Sequence, residues 1–123
     1  TVIYHAAGST GNGVIESAAE NKKFAIGVDS NQNYMKPGFV LTSMVKQVDV
    51  AVFEVIKEVT EGEFKGGVYK FGLKNNGVGY ALDEHNKDLI DQETKDKLEE
   101  IKKKIVSGEI KVTNYIEEQE KNK

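Results

Sequence analysis

Residues 2 to 29 place the strongest constraint on the fold. Val2 to Ala7 is a short apolar run, Gly8-Ser9-Thr10-Gly11-Asn12-Gly13 interrupts it, and Val14, Ile15, Ala18 and Ala19 then recur at helical spacing. The polar Glu20-Asn21-Lys22-Lys23 ends that helix, and Phe24-Ala25-Ile26-Gly27-Val28 is a second apolar run closed by Asp29. Strand, glycine loop, helix and strand in this order form a β-α-β unit, whose crossover makes the two strands parallel. The nearly continuous apolar runs predict strands covered on both faces. The chain is therefore of the α/β class, a parallel sheet with flanking helices.

Downstream, Asp29 to Phe39 carries too many turn formers for regular structure and is long for a connection, a kind of loop that is often functional. Val40-Leu41 reads as a brief extended piece. Thr42 or Ser43 is then expected to cap a helix running to about Thr60, with Met44, Val48, Ala51, Val55 and Val59 as one stripe and Val45, Val52, Phe53 and Ile56 broadening it. Such a helix needs cover on more than one side. Gly67 to Leu73 alternates as a strand, Asn75-Asn76-Gly77 is a turn signal, and Val78 to Leu82 is expected to pair back as a β-hairpin. An amphipathic helix is predicted from Asp91 to Ser107, with Leu98, Ile101 and Ile105 inward, Gly108 as its C-cap and Ile110-Lys111-Val112 as a last strand. Residues 1–116 thus carry the folded portion, and Glu117 to Lys123 is a polar tail expected to fray.

Composition narrows the function classes. With 123 residues, 38% of them hydrophobic and 30% charged, the chain fits one domain of ordinary size. No apolar run approaches the roughly 20 residues that span a bilayer. Seventeen basic residues, all lysine, against twenty acidic ones leave a net charge of -3, which is no nucleic-acid footprint. The absence of cysteine removes disulfide scaffolds, thiolate metal sites and cysteine nucleophiles. The opening Thr1-Val2-Ile3-Tyr4-His5 has neither an initiator Met nor the pattern of a signal peptide, a start expected inside a longer chain with any targeting signal upstream.

Three residues stand out as candidates for binding. Gly8 lies in a loop that leaves a strand and opens a helix, where backbone N–H groups and the positive end of the helix dipole meet whatever sits above the strand ends. The loop matches neither known phosphate motif: Val14 and Ile15 stand where a Walker A sequence needs Lys and Ser or Thr, and Glu16 occupies the third glycine position of the dinucleotide fingerprint. A plain tight turn and a polar, non-phosphate ligand both remain compatible with it. Asp29 closes the second strand on the edge where open α/β sheets bind ligands, and a carboxylate there suits a vicinal diol or simply turns the chain. Lys46 is a charge near the start of an otherwise apolar helix; it either pairs with a ligand hydroxyl or with Asp29, or extends to solvent.

Other polar residues carry less. Asp29-x-Asn31-x-Asn33 imitates the start of a calcium loop, but Tyr34 and Val40 stand where glycine and glutamate are required. His5 and His85 share no ligand spacing, and each is expected to be a hydrogen-bonded structural histidine. No G-x-S-x-G surrounds any serine, so the sequence gives no case for covalent catalysis. No cofactor and no metal site are expected.

The segments His5 to Val14, Ala25 to Gln32, Leu41 to Asp49, Phe64 to Tyr69 and Gly72 to Gly79 together resemble, in order, the basic membrane protein family. These are substrate-binding lipoproteins of ABC transporters that take up purine nucleosides. The resemblance runs from the first residue to about Ile110. It implies part of a type I periplasmic-binding-protein-like fold, in which two α/β lobes joined by crossover strands enclose the ligand. This chain would be the C-terminal portion: residues 1 to about 30 would finish the sheet of one lobe, and Asp29 to Leu41 would be a hinge crossing.

The resemblance further implies an extracytoplasmic, membrane-anchored parent that captures purine nucleosides and passes them to an ABC permease. Gly8, Asp29 and Lys46 would hold the ribose hydroxyls, while the N-terminal lobe would supply the stacking on the base. Without that lobe the ligand would be poorly enclosed, since such sites normally bury about 70 to 90% of it. Apolar faces meant for it would be exposed and would favour a homodimer or domain swap. The alternative from another class is a ligand-sensing regulatory protein of the same fold. An enzyme acting on nucleosides would need a base or nucleophile beside Asp29, and the sequence offers none.

Overall fold

The computed structural model describes residues 1–115, 118 and 119. It divides into two compact units, Thr1–Asp91 and Gln92 onward. The first holds a sheet of four strands: β1 (Val2–Tyr4), β2 (Phe24–Asp29), β3 (Val40–Lys46) and β4 (Val78–Tyr80), in that spatial order. Helix α1 (Gly11–Glu20) crosses from β1 to β2, and α2 (Val48–Glu61) follows β3. β1, β2 and β3 are parallel and β4 runs antiparallel to β3, with Tyr4 opposite Ile26, Asp29 opposite Val45 and Lys46 opposite Val78. The β-α-β reading of the N-terminus is therefore the architecture observed.

The packed core is small and lies between α1 and the sheet. Ile15 and Ala18, one turn apart on α1, close over Ala25 of β2 and Val40 of β3, with Met35 packed beside them. Cover on both faces is reached only partly. Ala25 and Gly27 of β2 are buried, whereas Val2, Ile3 and Tyr4 of β1 are exposed.

Three local expectations are corrected. Thr42 and Ser43 do not cap a helix: the strand begun at Val40 continues to Lys46, and α2 starts at Val48. Their hydroxyls serve tertiary bonds instead, Thr42 Oγ1 donating to the Ala81 carbonyl at 2.8 Å and Ser43 Oγ donating to Asn33 Oδ1 at 2.8 Å. Short apolar runs suit a buried strand and a helix equally, and pairing with β2 on one side and β4 on the other decides for the strand. Lys46 consequently ends a strand. Gly67 to Leu73 forms no strand, so there is no hairpin; Asn75-Asn76-Gly77 turns the chain, and β4 pairs with β3 instead. The turn is closed locally by Gly72 N–H on Asn75 Oδ1 and Gly77 N–H on the Gly72 carbonyl.

Helix α2 has no buried residue; Val48, Val52, Phe53, Ile56 and Val59 are exposed, and Ala51 and Val55 half-buried. In the second unit, α3 (Gln92–Ser107) matches its predicted span, with Leu98 and Ile105 half-buried and Ile101 exposed. Gly108, at φ 83°, ends it as expected, its N–H on the Ile105 carbonyl. Ile110, Lys111 and Val112 form no strand. Of the predicted tail, Glu118 and Gln119 are helical; Glu117 and residues 120–123 lie outside the described residues. No helix among the described residues is long and apolar enough to cross a membrane.

Candidate ligand-binding cavity

The C-terminal ends of β1, β2 and β3 open onto a cavity of about 400 Å³, the position where open α/β sheets bind ligands. The topology brings Gly8, Asp29 and Lys46 to its wall, together with Tyr4, His5 and Met44. β2 and β3 are registered so that Asp29 lies opposite Val45, and the next residue on β3 is Lys46. The Lys46 Nζ to Asp29 Oδ1 distance is 2.7 Å. Both side chains are about half exposed, at 56% and 55%, so neither is locked away from an incoming ligand. The hydrogen bond from Lys46 to Asp29, together with the carboxylate's charge, pushes the lysine pKa up and keeps the ammonium fully charged.

Backbone geometry shapes the same wall. Gly8 sits at φ 53°, a left-handed conformation natural to glycine, and a Cβ there would meet no heavy atom within 4 Å. The approach to the loop is open, and α1 begins three residues later at Gly11. Asp29 has φ 71°, and the Ser30 N–H bonds the Val28 carbonyl at 2.9 Å across it.

His5 departs from its expected role. It is only 7% exposed at the cavity's edge, and both ring nitrogens lack a hydrogen-bond partner among the described residues. Its ring lies so close against Gly11 that a Cβ at that position would collide with it. The hydrogen bonds expected of it are not found, and what the ring has is close packing against Gly11. His85 donates its backbone N–H to Asp83 Oδ1 at 2.8 Å, and its ring reaches Glu84 at 3.7 Å. Asp83, Glu84 and His85 cluster within 4.8 Å, but the Asp83 oxygens are already taken by neighbouring donors.

Reading the sequence missed the polar residues behind the cavity. Asn33, Ser43 and Asn86 are fully or almost fully buried. Asn31 Nδ2 and Asn33 Nδ2 donate to Asp83 Oδ2 at 2.7 and 3.0 Å, and Asn86 Nδ2 donates to the Leu41 and Ala81 carbonyls. These donors hold the Asp83 carboxyl below the ordinary carboxylate range, the Asn31 amide most strongly, then the His85 N–H and the Asn33 amide. The available signal was Asn31-x-Asn33, which imitates a calcium loop but instead grips an aspartate 50 residues away.

A carboxylate acceptor, an ammonium donor and an open glycine loop thus meet around one cavity at the parallel strand ends, an arrangement able to exchange hydrogen bonds with a small polar ligand. The family model described as "ABC transporter substrate-binding protein PnrA-like" matches residues 1–115, and the chain belongs to that family. It is 41% identical over 90% of its length to a "CD4+ T-cell-stimulating antigen" of Listeria monocytogenes, and 33% identical over 90% of its length to the "ABC transporter nucleoside-binding protein BmpA" of Lactococcus lactis. It spans about a third of those relatives, 35% of each. An ABC transporter solute-binding protein from Aeropyrum pernix superimposes with a TM-score of 0.71 at 32% identity, over 93% of this chain and 40% of that one.

Proposed function

We propose that this chain supplies the ribose-holding part of a purine nucleoside site in the extracytoplasmic, lipid-anchored binding component of an ABC transporter. The observation that carries this reading is the Asp29–Lys46 pair at 2.7 Å on the wall of the strand-end cavity. A carboxylate accepts from both hydroxyls of a vicinal diol, and the neighbouring ammonium donates to their oxygens. Gly8 lets the sugar approach the backbone without a side chain in the way. The name of the Lactococcus lactis relative supports a nucleoside as the ligand.

The remainder of a protein of the relatives' length supplies the cover for the base and the contact with the permease. The reading is of capture and release, with no bond made or broken. Calorimetric titration of the full-length protein with adenosine, guanosine and inosine, with ribose and adenine as controls, tests it. Asp29→Ala is expected to cost about 2 to 4 kcal/mol of nucleoside affinity by leaving ligand hydroxyls unpaired. Unchanged affinity would overturn the assignment.

A further inference from the structure

Asp29 holds a conformation that it would not choose alone. With φ at 71° and Ser30 N–H bonded to the Val28 carbonyl, it is the centre of a three-residue turn that is rare and strained for a residue with a side chain. Such a turn persists only where its surroundings impose it. Gln32 is the residue placed to do so. Its Oε1 accepts the Val28 N–H at 2.8 Å, directly before the turn, and its Nε2 donates to Asn12 Oδ1 of α1 at 3.3 Å.

Gln32 is itself gripped from behind. Its backbone N–H donates to Ser43 Oγ at 2.9 Å, and Ser43 donates to Asn33 Oδ1 at 2.8 Å. Asn33, fully buried, is tied in turn to Asp83. Gly27 leaves the room this arrangement needs: a Cβ on it would fall 2.9 Å from the Gln32 Cβ and would collide with Ser43 Oγ. The side chain of Gln32 therefore lies directly on the strand that ends in Asp29, without itself lining the cavity.

We propose that Gln32 is a positioning residue for ligand recognition. Held by Ser43 and Asn33, it fixes the turn at Asp29 so that the carboxylate stands beside Lys46, and it ties that strand end to the helix that follows the glycine loop. This rests on the ribose reading above. Discrimination of a vicinal diol from a 2′-deoxy sugar is then set from behind the site, by a residue acting through Asp29. Two residues that act in series do not add, whereas independent structural effects do.

The test is a double-mutant cycle in the full-length protein, read by calorimetry with adenosine and 2′-deoxyadenosine. Gln32→Ala is expected to weaken adenosine about tenfold or more and 2′-deoxyadenosine less than about threefold. In an Asp29→Ala background, the same change is expected to alter adenosine affinity less than about twofold. Equal weakening of both nucleosides, or the same factor in both backgrounds, would overturn the inference. Should Gln32→Ala unfold, Gln32→Leu gives the same comparison with the side-chain volume kept. An Asp29→Ala protein that binds adenosine as the parent does removes the ribose reading, and the inference with it, so the two failures are distinct.

Discussion

Replacing Ser43 by alanine removes one oxygen from the centre of the polar network. Ser43 is 0% exposed; its Oγ accepts the Gln32 N–H at 2.9 Å and donates to Asn33 Oδ1 at 2.8 Å. A buried polar group left without a partner costs about 1 to 3 kcal/mol. Asn33 is also 0% exposed, so its Oδ1 has no route to water, whereas half-buried Gln32 recovers part of its loss from solvent. The void left by one oxygen is small beside these terms. We expect Ser43→Ala to destabilise the first unit by about 2 to 3 kcal/mol. At about 4 to 8 °C per kcal/mol for a unit of this size, Tm falls by roughly 10 to 20 °C. Urea denaturation followed by circular dichroism reads the effect, with the midpoint lowered and the slope unchanged. The exposed Ser9→Ala is the control, expected within about 0.5 kcal/mol of the parent. A Ser43→Ala protein that unfolds at the parent's midpoint would refute the idea that the network carries stability.

Three further outcomes follow from the same geometry. Lys46→Met is expected to leave the denaturation midpoint where it is, because an ion pair this exposed stabilises little, and, on the nucleoside reading proposed above, to weaken adenosine binding by the full-length protein in calorimetry. Gly8→Ala costs about 1 kcal/mol in denaturation experiments, since the φ of 53° strains an L-residue though no neighbour obstructs its Cβ, and Gly8→Asn costs less. Asp83, with its folded pKa depressed, contributes stability that is present above the ordinary carboxylate range and lost as pH falls through the depressed value. The midpoint of the parent therefore drops on acidification below about pH 4, and Asp83→Asn flattens that part of the profile.

The β-α-β unit, the span of α3 and its end at Gly108 were legible in the residues alone, because each rests on periodicity and glycine placement within a short stretch of chain. Gly8 and Asp29 could be picked out in the same way, at the loop and at the strand end, whereas Lys46 was singled out as a charge on a helix and stands instead at the end of a strand; all three line one cavity. Local pattern could not decide between helix and strand for Val40 to Lys46. A seven-residue segment with four apolar residues takes its state from the strands beside it, and pairing with β2 and β4 made it a strand. That pairing also denied the predicted hairpin its second strand. The sequence offered Asp29 as one of several partners for Lys46, and the structure chose it. The lack of a partner for the His5 nitrogens among the described residues and the network from Gln32 through Ser43 and Asn33 to Asp83 belong to tertiary structure alone. The network's partners lie up to 50 residues apart, and hydrogen bonds across such distances leave no periodic trace in a single sequence.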